Sequence, residues 1–319
     1  MAAVPGSQMT PRHFWLLMLI NVIWGFNLVA AKVGVTELPP VLFSALRFVV
    51  LSLLLLPFLR PYPERMRPIF FVAMTTGGLH FAFLYIGLRL AEDASTVAIA
   101  IQLNVPFATI LSIAFLGEQV RWRRWAGILV AFAGVLLIGF DPRVLSYIDG
   151  LLLTVFSALW SATGILLMKR LSGIGVFQLQ AWVATLSWPL LLAVSLMIEQ
   201  GQLAALAGAG WLAWGTVLYT SLFASLIGHG GLYYLLQRYE VSIISPLTLL
   251  STVFGIFFSV LLLGDRFTGR MLIGGALTLT GVFIIALRSR RPATAPLGAG
   301  AEATPQPARI GRTIDNSES

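Results

Sequence analysis

Ten apolar runs follow one another along this chain with only short turns between them, and that arrangement predicts a bundle of membrane-crossing helices. A helix needs about 20 mostly apolar residues, at 1.5 Å each, to cross roughly 30 Å of hydrocarbon. The runs cover residues 13–34, 40–60, 68–90, 94–116, 122–140, 148–168, 176–199, 211–236, 241–263 and 268–288. Turn chemistry separates them, as in Glu37-Leu38-Pro39-Pro40, Arg60-Pro61-Tyr62-Pro63-Glu64, Asp141-Pro142 and Gly264-Asp265-Arg266. Loops this short hold no soluble domain. The first run is too long for a cleaved signal peptide and carries Asn21, Trp24 and Asn27, so it reads as a span. Residues 1–12 are expected to be a cytoplasmic N-terminal segment. Residues 289–319, rich in Pro, Ala, Gly and Arg without apolar periodicity, are expected to be a disordered cytoplasmic tail.

Composition narrows the function. The chain is 58% hydrophobic and 11% charged, against about 25% charged in soluble domains. That excludes an ordinary cytosolic enzyme, a disordered protein and a nucleic-acid binder. There is no cysteine, hence no disulfide framework, zinc–thiolate site or cysteine nucleophile. No Walker loop, dinucleotide fingerprint, HExxH or Ser-His-Asp pattern appears, so neither cofactor, metal nor ATP-driven step is expected.

The net charge of +8 is scattered between the spans, as topology signals are. With a cytoplasmic N-terminus, fifteen basic residues fall inside: Arg12, Arg60, Arg65, Arg67, Arg121, Arg123, Arg124, Lys169, Arg170, Arg238, Arg288, Arg290, Arg291, Arg309 and Arg312. Five fall outside: Lys32, Arg89, Arg143, Arg266 and Arg270. The bias predicts both termini in the cytoplasm.

The chain also repeats itself. Shifted by 147 residues, Leu103–Gly139 falls on Leu250–Ala286 without a gap. Identical pairs include Phe107/Phe254, Ser112/Ser259, Leu116/Leu263, Gly117/Gly264, Arg123/Arg270, Gly127/Gly274 and Gly134/Gly281, and Glu118 pairs with Asp265. Five spans is an odd number, so the second half, 148–288, must sit upside down relative to the first, 13–140. Inverted repeats are an architecture of secondary transporters, with the substrate site near midplane where the halves meet.

Trp24-Gly25-Phe26-Asn27-Leu28-Val29-Ala30-Ala31-Lys32, Pro39-Pro40, Ala45-Leu46-Arg47-Phe48, Leu116-Gly117-Glu118 and Leu263-Gly264-Asp265 resemble the EamA family of the drug/metabolite transporter superfamily. Arg238-Tyr239-Glu240 and Ser245-Pro246-Leu247 are similar to its O-acetylserine/cysteine exporter type. The resemblance covers nearly the whole chain up to about Arg288. It implies ten helices in two inverted halves, the inner membrane of a bacterium, and export of amino acids or related metabolites.

Few polar groups lie inside the spans, and each is a candidate. Arg47 sits about 10 Å into span two. As a fixed positive charge facing the cavity it would hold a substrate carboxylate through paired hydrogen bonds or gate the path, against snorkelling to headgroups. Lys32 reads equally as a gate and as an interfacial anchor. Trp24 and Asn27, three apart, share a helix face and suit a small zwitterion. Gln102, Asn104 and Pro106 fall within five residues. Pro106 frees the carbonyl of Gln102, so this stretch is a hinge or a substrate contact, and Pro246 is a weaker echo. His80 and His229 occupy corresponding places; either could take a proton, though a histidine bonded to a neighbouring helix is the commoner arrangement. Tyr85, Trp160 and Tyr233 are candidate aromatic lining. Glu118 and Asp265, beside glycine at span ends, read as helix caps or as partners of loop arginines rather than as substrate contacts. No Asp or Glu lies at the middle of a span, so coupling would use histidine, a rim acid or the substrate's own charge, unless transport is uncoupled.

These readings converge on an exporter of small amino-acid-like metabolites, as a monomer or a homodimer. A carrier of aromatic or cationic compounds is the alternative, although a cation would want midplane acids. A membrane lipid enzyme would need clustered His, Asp and Glu at one interface, which the sequence lacks.

Overall fold

The computed structural model describes residues 9–117, 122–168, 171, 173–236, 238, 239, 244 and 247–287. Hydrocarbon offers backbone groups no partner, so a spanning chain pairs them within helices. Every regular element among the described residues is helical.

Span one is α1 (Pro11–Glu37) and span two is α2 (Pro40–Leu55). Span three joins α3 (Met66–Val72) to α4 (His80–Leu90) through a π-helical segment, Ala73–Leu79. Span four breaks between α5 (Ala94–Ala100) and α6 (Asn104–Leu116). The break is a tight 3₁₀ turn, Ile101–Leu103, just ahead of Pro106, whose missing N–H weakens the helix there. Span five is α7 (Trp122–Gly139). A short α8 (Pro142–Leu145) leads to span six, α9 (Ile148–Met168). Span seven is α10 (Val176–Ile198), followed by α11 (Gln202–Gly208). Span eight runs through α12 (Trp211–Tyr219), a second π-helical segment, Thr220–His229, and α13 (Gly230–Leu236). Span nine includes α14 (Leu250–Phe258) and a π-helical end, Ser259–Leu263, and span ten is α15 (Gly269–Leu287). Eight of these spans are long and apolar enough to cross a bilayer, and the described parts of the last two are shorter apolar helices. Pro246, Glu118 and the expected tail lie outside the described residues.

The packing has a two-fold pattern. If span k of one half corresponds to span k + 5 of the other, each major contact must have a swapped twin. Spans five and ten pack on each other, as do two and seven. Three packs on six while eight packs on one, and six packs on four while one packs on nine. The two long π-helical segments, Ala73–Leu79 and Thr220–His229, obey the same rule, since they start at equivalent positions of the repeat. The Leu-Gly-acid turns do as well. Gly117 and Gly264 both close their helices in the left-handed region, at φ 64° and 75°, where glycine carries no Cβ penalty.

Glycine also sets the five–ten contact. A Cβ on Gly134 would lie 2.5 Å from the carbonyl oxygen of Gly274, and one on Gly274 would lie 2.6 Å from that of Gly134. Gly127 and Gly281 repeat the reciprocity at 2.9 and 2.5 Å. These backbones touch, as small-residue helix pairs do in membranes. Gly134→Leu is therefore expected to destabilise the protein by about 1–3 kcal/mol. The measurement is the melting temperature of the detergent-purified protein, and an unchanged value would contradict the close approach.

Candidate functional site

Three of the sequence candidates meet at one cavity. Trp24 and Asn27 of α1 and Gln102 of the 3₁₀ turn line a space of about 170 Å³ together with Leu28, Leu84, Val97, Ala98 and Ile101. The second half closes it with Ser251, Thr252 and Gly255 of α14. Spans one and nine come close enough for this because Gly25 packs on the backbone of Phe254 and Gly255. Gln102 Nε2 donates to Thr252 Oγ1, joining the halves across the cavity wall. Trp24 is fixed twice: its Nε1 donates to the Ala224 carbonyl at 3.1 Å, and the His229 ring meets it edge-on at 5.3 Å. The lining contains no charged residue.

Arg47 is packed among side chains away from the cavity. It is buried, 3% exposed, and does not line the cavity. Its Nε and Nη2 donate to Ser225 Oγ at 3.1 and 2.8 Å, and Nη1 donates to the Tyr85 hydroxyl. The Phe81 ring lies 4.2 Å from its Cζ. Ser221 Oγ donates to the backbone carbonyl of Arg47 at 3.0 Å. The π-helical segment of span eight thus holds both the side chain and the backbone of Arg47. The same segment supplies the Ala224 carbonyl that fixes Trp24. No carboxylate of a described residue lies within ion-pair distance of Arg47. A buried cation held only by hydroxyls and aromatic faces is an unneutralised charge, which is costly in a medium of low dielectric.

The other candidates are placed individually. Tyr85 is fully buried and serves Arg47 rather than the cavity. His80 is locked to span six: Ser157 Oγ donates to the His80 carbonyl, and Nδ1 lies 2.8 Å from that hydroxyl and 3.1 Å from the Ser157 carbonyl. The hydroxyl proton is committed, which assigns the shared ring proton to Nδ1. His229 packs against Trp24 and does not line the cavity. Asn104 does not line it either, and its Oδ1 is buried without a hydrogen-bond partner. Trp160 is half-buried on α9, also away from the cavity. Tyr233 lies on α13 and its side chain is outside the described part.

Lys32 is an anchor. Its Nζ donates to the carbonyls of Leu88, at 2.8 Å, and Ala91, at the end of α4. Arg89 of α4 returns the contact on the carbonyls of Val35 and Thr36, at the end of α1. Cations at helix C-termini neutralise exposed carbonyls and the helix dipole. Acids at this end of the bundle cap helix N-termini in the same way. Asp265 Oδ2 accepts from the N–H of Ser95, at 2.8 Å, and from its hydroxyl. Glu199 accepts from the N–H groups of Val41 and Leu42 at 2.7 and 3.0 Å. Arg143 pairs with Glu92 and Asp93 at 3.5 Å. Tyr147, whose phenol burial pushes up, stays protonated and donates to Asp93 at 3.1 Å. These four acids are thus bound to helix ends and to Arg143.

Sequence reasoning missed Ser225 and Thr252. Neither carried a signal, since small hydroxyls are common in membrane spans and usually bond their own helix, as Thr154 does to Gly150. Ser225→Ala would leave Nε and Nη2 of Arg47 without their partner, at about 1–3 kcal/mol of stability. In a double-mutant cycle with Arg47→Met, read by unfolding in detergent, the combined loss is expected to be smaller than the sum. Simple additivity would contradict the coupling.

With this geometry in view, known proteins supply the family. The model of the EamA-like transporter family matches residues 12–140 and again 148–287. A probable amino-acid metabolite efflux pump of Escherichia coli (strain K12) is 28% identical over 278 residues, 84% of this chain and 93% of its own length. An uncharacterized transporter of Archaeoglobus fulgidus is 24% identical over 278 residues, 85% of this chain and 98% of its own. One solved crystal structure shares the fold with a TM-score of 0.57 at 18% identity, covering 86% of this chain and 96% of the other. The two family matches together take in most of the sequence, and the chain belongs to the EamA-like transporter family.

Proposed function

We propose that this protein exports small amino-acid-like metabolites across a bacterial inner membrane by alternating access. It works as a carrier rather than an enzyme, the moving halves being residues 13–140 and 148–288 and both termini being cytoplasmic. The observation that carries this reading is the cavity at the seam, where Trp24, Asn27 and Gln102 of one half face Ser251 and Thr252 of the other. Its 170 Å³ is the bulk of about five or six waters, below the 300–1,000 Å³ of drug-sized sites. That suits a small polar solute. The name of the Escherichia coli relative, a probable amino-acid metabolite efflux pump, supports the same substrate class.

In this reading Trp24, Asn27 and Gln102 contact substrate in the conformation described. Arg47, now held by Ser225 and Tyr85, meets the substrate carboxylate when the halves rock. His80, His229, Lys32, Pro106 and Pro246 serve the movement, and Trp160, Asn104 and Tyr233 line the path in other conformations. A cationic or aromatic cargo is the second reading, and the absence of any acid from the lining weighs against a dication or an organic cation. The carrier acts as a monomer or as a homodimer.

The test is efflux of labelled amino acids from preloaded cells or right-side-out vesicles, with and without a proton gradient. Saturable efflux of one zwitterion class is expected. Arg47→Ala is expected to slow it about tenfold or more, the cost of one charge-assisted contact. Arg47→Lys is expected to be impaired too, because an ammonium does not replace a paired guanidinium contact. Correctly inserted protein that moves no amino acid would overturn the proposal, and Arg47→Ala transporting at the parent rate would remove Arg47 from it.

A further inference from the structure

Spans four and nine belong to different halves and face each other at the cavity. Span four contributes Ala98, Ile101 and Gln102 to its wall, and span nine contributes Ser251, Thr252 and Gly255. Side-chain bonds join the two spans at two levels. At the cavity, Gln102 Nε2 donates to Thr252 Oγ1. At the end of the bundle, Asp265, in the turn after span nine, accepts through Oδ2 from the N–H of Ser95 at 2.8 Å and from its hydroxyl at 2.5 Å. Ser95 lies seven residues from Gln102, about 10 Å along the helix. In the orientation proposed above, this is the outer end.

The second bond depends on charge. Asp265 is 8% exposed and Ser95 1%. No Lys or Arg of a described residue lies within ion-pair distance of the Asp265 carboxylate, so its hydrogen-bond donors come from Ser95. Hydrogen bonds to an ionised acceptor are about twice as strong as neutral ones. Gly264, at φ 75°, ends span nine in the left-handed region, and Asp265 follows it directly. The 147-residue repeat pairs Asp265 with Glu118 and Ser95 with Ser242, so an acid and a serine recur at the same register of the other half. Those twins lie outside the described residues.

Other bonds at this end do different work. Lys32 and Arg89 tie span one to span three inside a single half, so a rocking of the halves leaves them intact. Glu199 joins spans two and seven, which do not line the cavity. The bond between Asp265 and Ser95 crosses from one half to the other beyond the cavity, and spans four and nine cannot part there while it holds.

We propose that Asp265 and Ser95 form the outer lock of this carrier: their bond closes the cavity toward the outside and breaks once in each transport cycle. This rests on the alternating-access reading above and adds the contact whose rupture opens the outer side. Asp265 gates the path and does not touch the cargo.

The experiment uses the full chain, which has no native cysteine, carrying Ser95→Cys and Asp265→Cys together. Efflux of labelled amino acids is measured from proteoliposomes before oxidation, after it, and after reduction, with each single variant as control. Oxidation is expected to bridge the two thiols and to slow efflux about tenfold or more, and reduction to restore it. A short bifunctional thiol reagent replaces the oxidant if the sulfurs stand too far apart. Bridged protein that transports at its own reduced rate would overturn the lock and leave export standing. Failure of both reagents to bridge the pair would also overturn it. If the double variant does not fold or does not transport when reduced, Asp265→Asn in a Thr252→Cys background carries the test. Removing the charge is expected to speed labelling of that cysteine by a membrane-impermeant thiol reagent, added outside right-side-out vesicles, about tenfold, the equilibrium shift from weakening one charge-assisted contact. An unchanged labelling rate would overturn the lock. A parent protein that moves no amino acid would overturn the export reading and the lock with it.

Discussion

The absence of water from the bilayer core governs this structure. Each backbone N–H and C=O must find a partner inside the protein, so the chain is helical wherever it crosses. Helix ends then become the difficult points, because four donors or four acceptors remain at each. At one end of the bundle they are met by side chains from other spans. Lys32 and Arg89 cap each other's helices, while Glu199 and Asp265 cap α2 and α5. Most of the charge that sequence reading placed at that rim is consumed in closing helix termini. These bonds join spans one, two, three, four, seven and nine at a single level and draw that end together.

The same constraint explains why so few polar groups carry the function. Inside the spans, the buried side-chain oxygens without a partner include those of Asn21, Asn27, Asn104 and Gln180, and Arg47 has no carboxylate of a described residue within ion-pair distance. The π-helical segment 220–229 bonds both Arg47 and Trp24. Its Ser225 holds the guanidinium and its Ala224 carbonyl fixes the indole that walls the cavity. Wide turns of this kind are rare and gather at functional sites. Here one occurs at the equivalent register in each half, as a carrier built from inverted halves would require if both flex in turn.

Much of the fold was legible because its determinants are local. Ten apolar runs, short turns and a 147-residue repeat fix helix number and inversion. Gly127, Gly134, Gly274 and Gly281, which that repeat pairs, are points where helix backbones touch. The site was legible in part. Trp24, Asn27 and Gln102 stand out as polar or amphipathic groups in apolar sequence, and all three line one cavity. Arg47 stood out by its charge, but its burial depends on Ser225 and Tyr85, which arrive from other helices. Lys32 had two readings that sequence could not separate, because helix-end carbonyls of α4 become its partners only after folding. The π-helical segments leave no pattern in composition. Thr252 and Ser225 resemble every other small hydroxyl in the spans until their cross-helix contacts are seen.

The central claim is that the seam between the halves, walled by Trp24, Gln102 and Thr252, holds the cargo. The chain has no native cysteine, so a single Thr252→Cys substitution gives a protein with one reporter thiol on the cavity wall. The measurement is the rate at which a small thiol reagent labels that cysteine in membranes, with and without the amino acid that gives the fastest efflux. The account predicts that the amino acid slows labelling in a saturable way, at the concentrations that saturate efflux. Labelling that proceeds at the same rate whatever amino acid is present, in a variant that still transports, would contradict it.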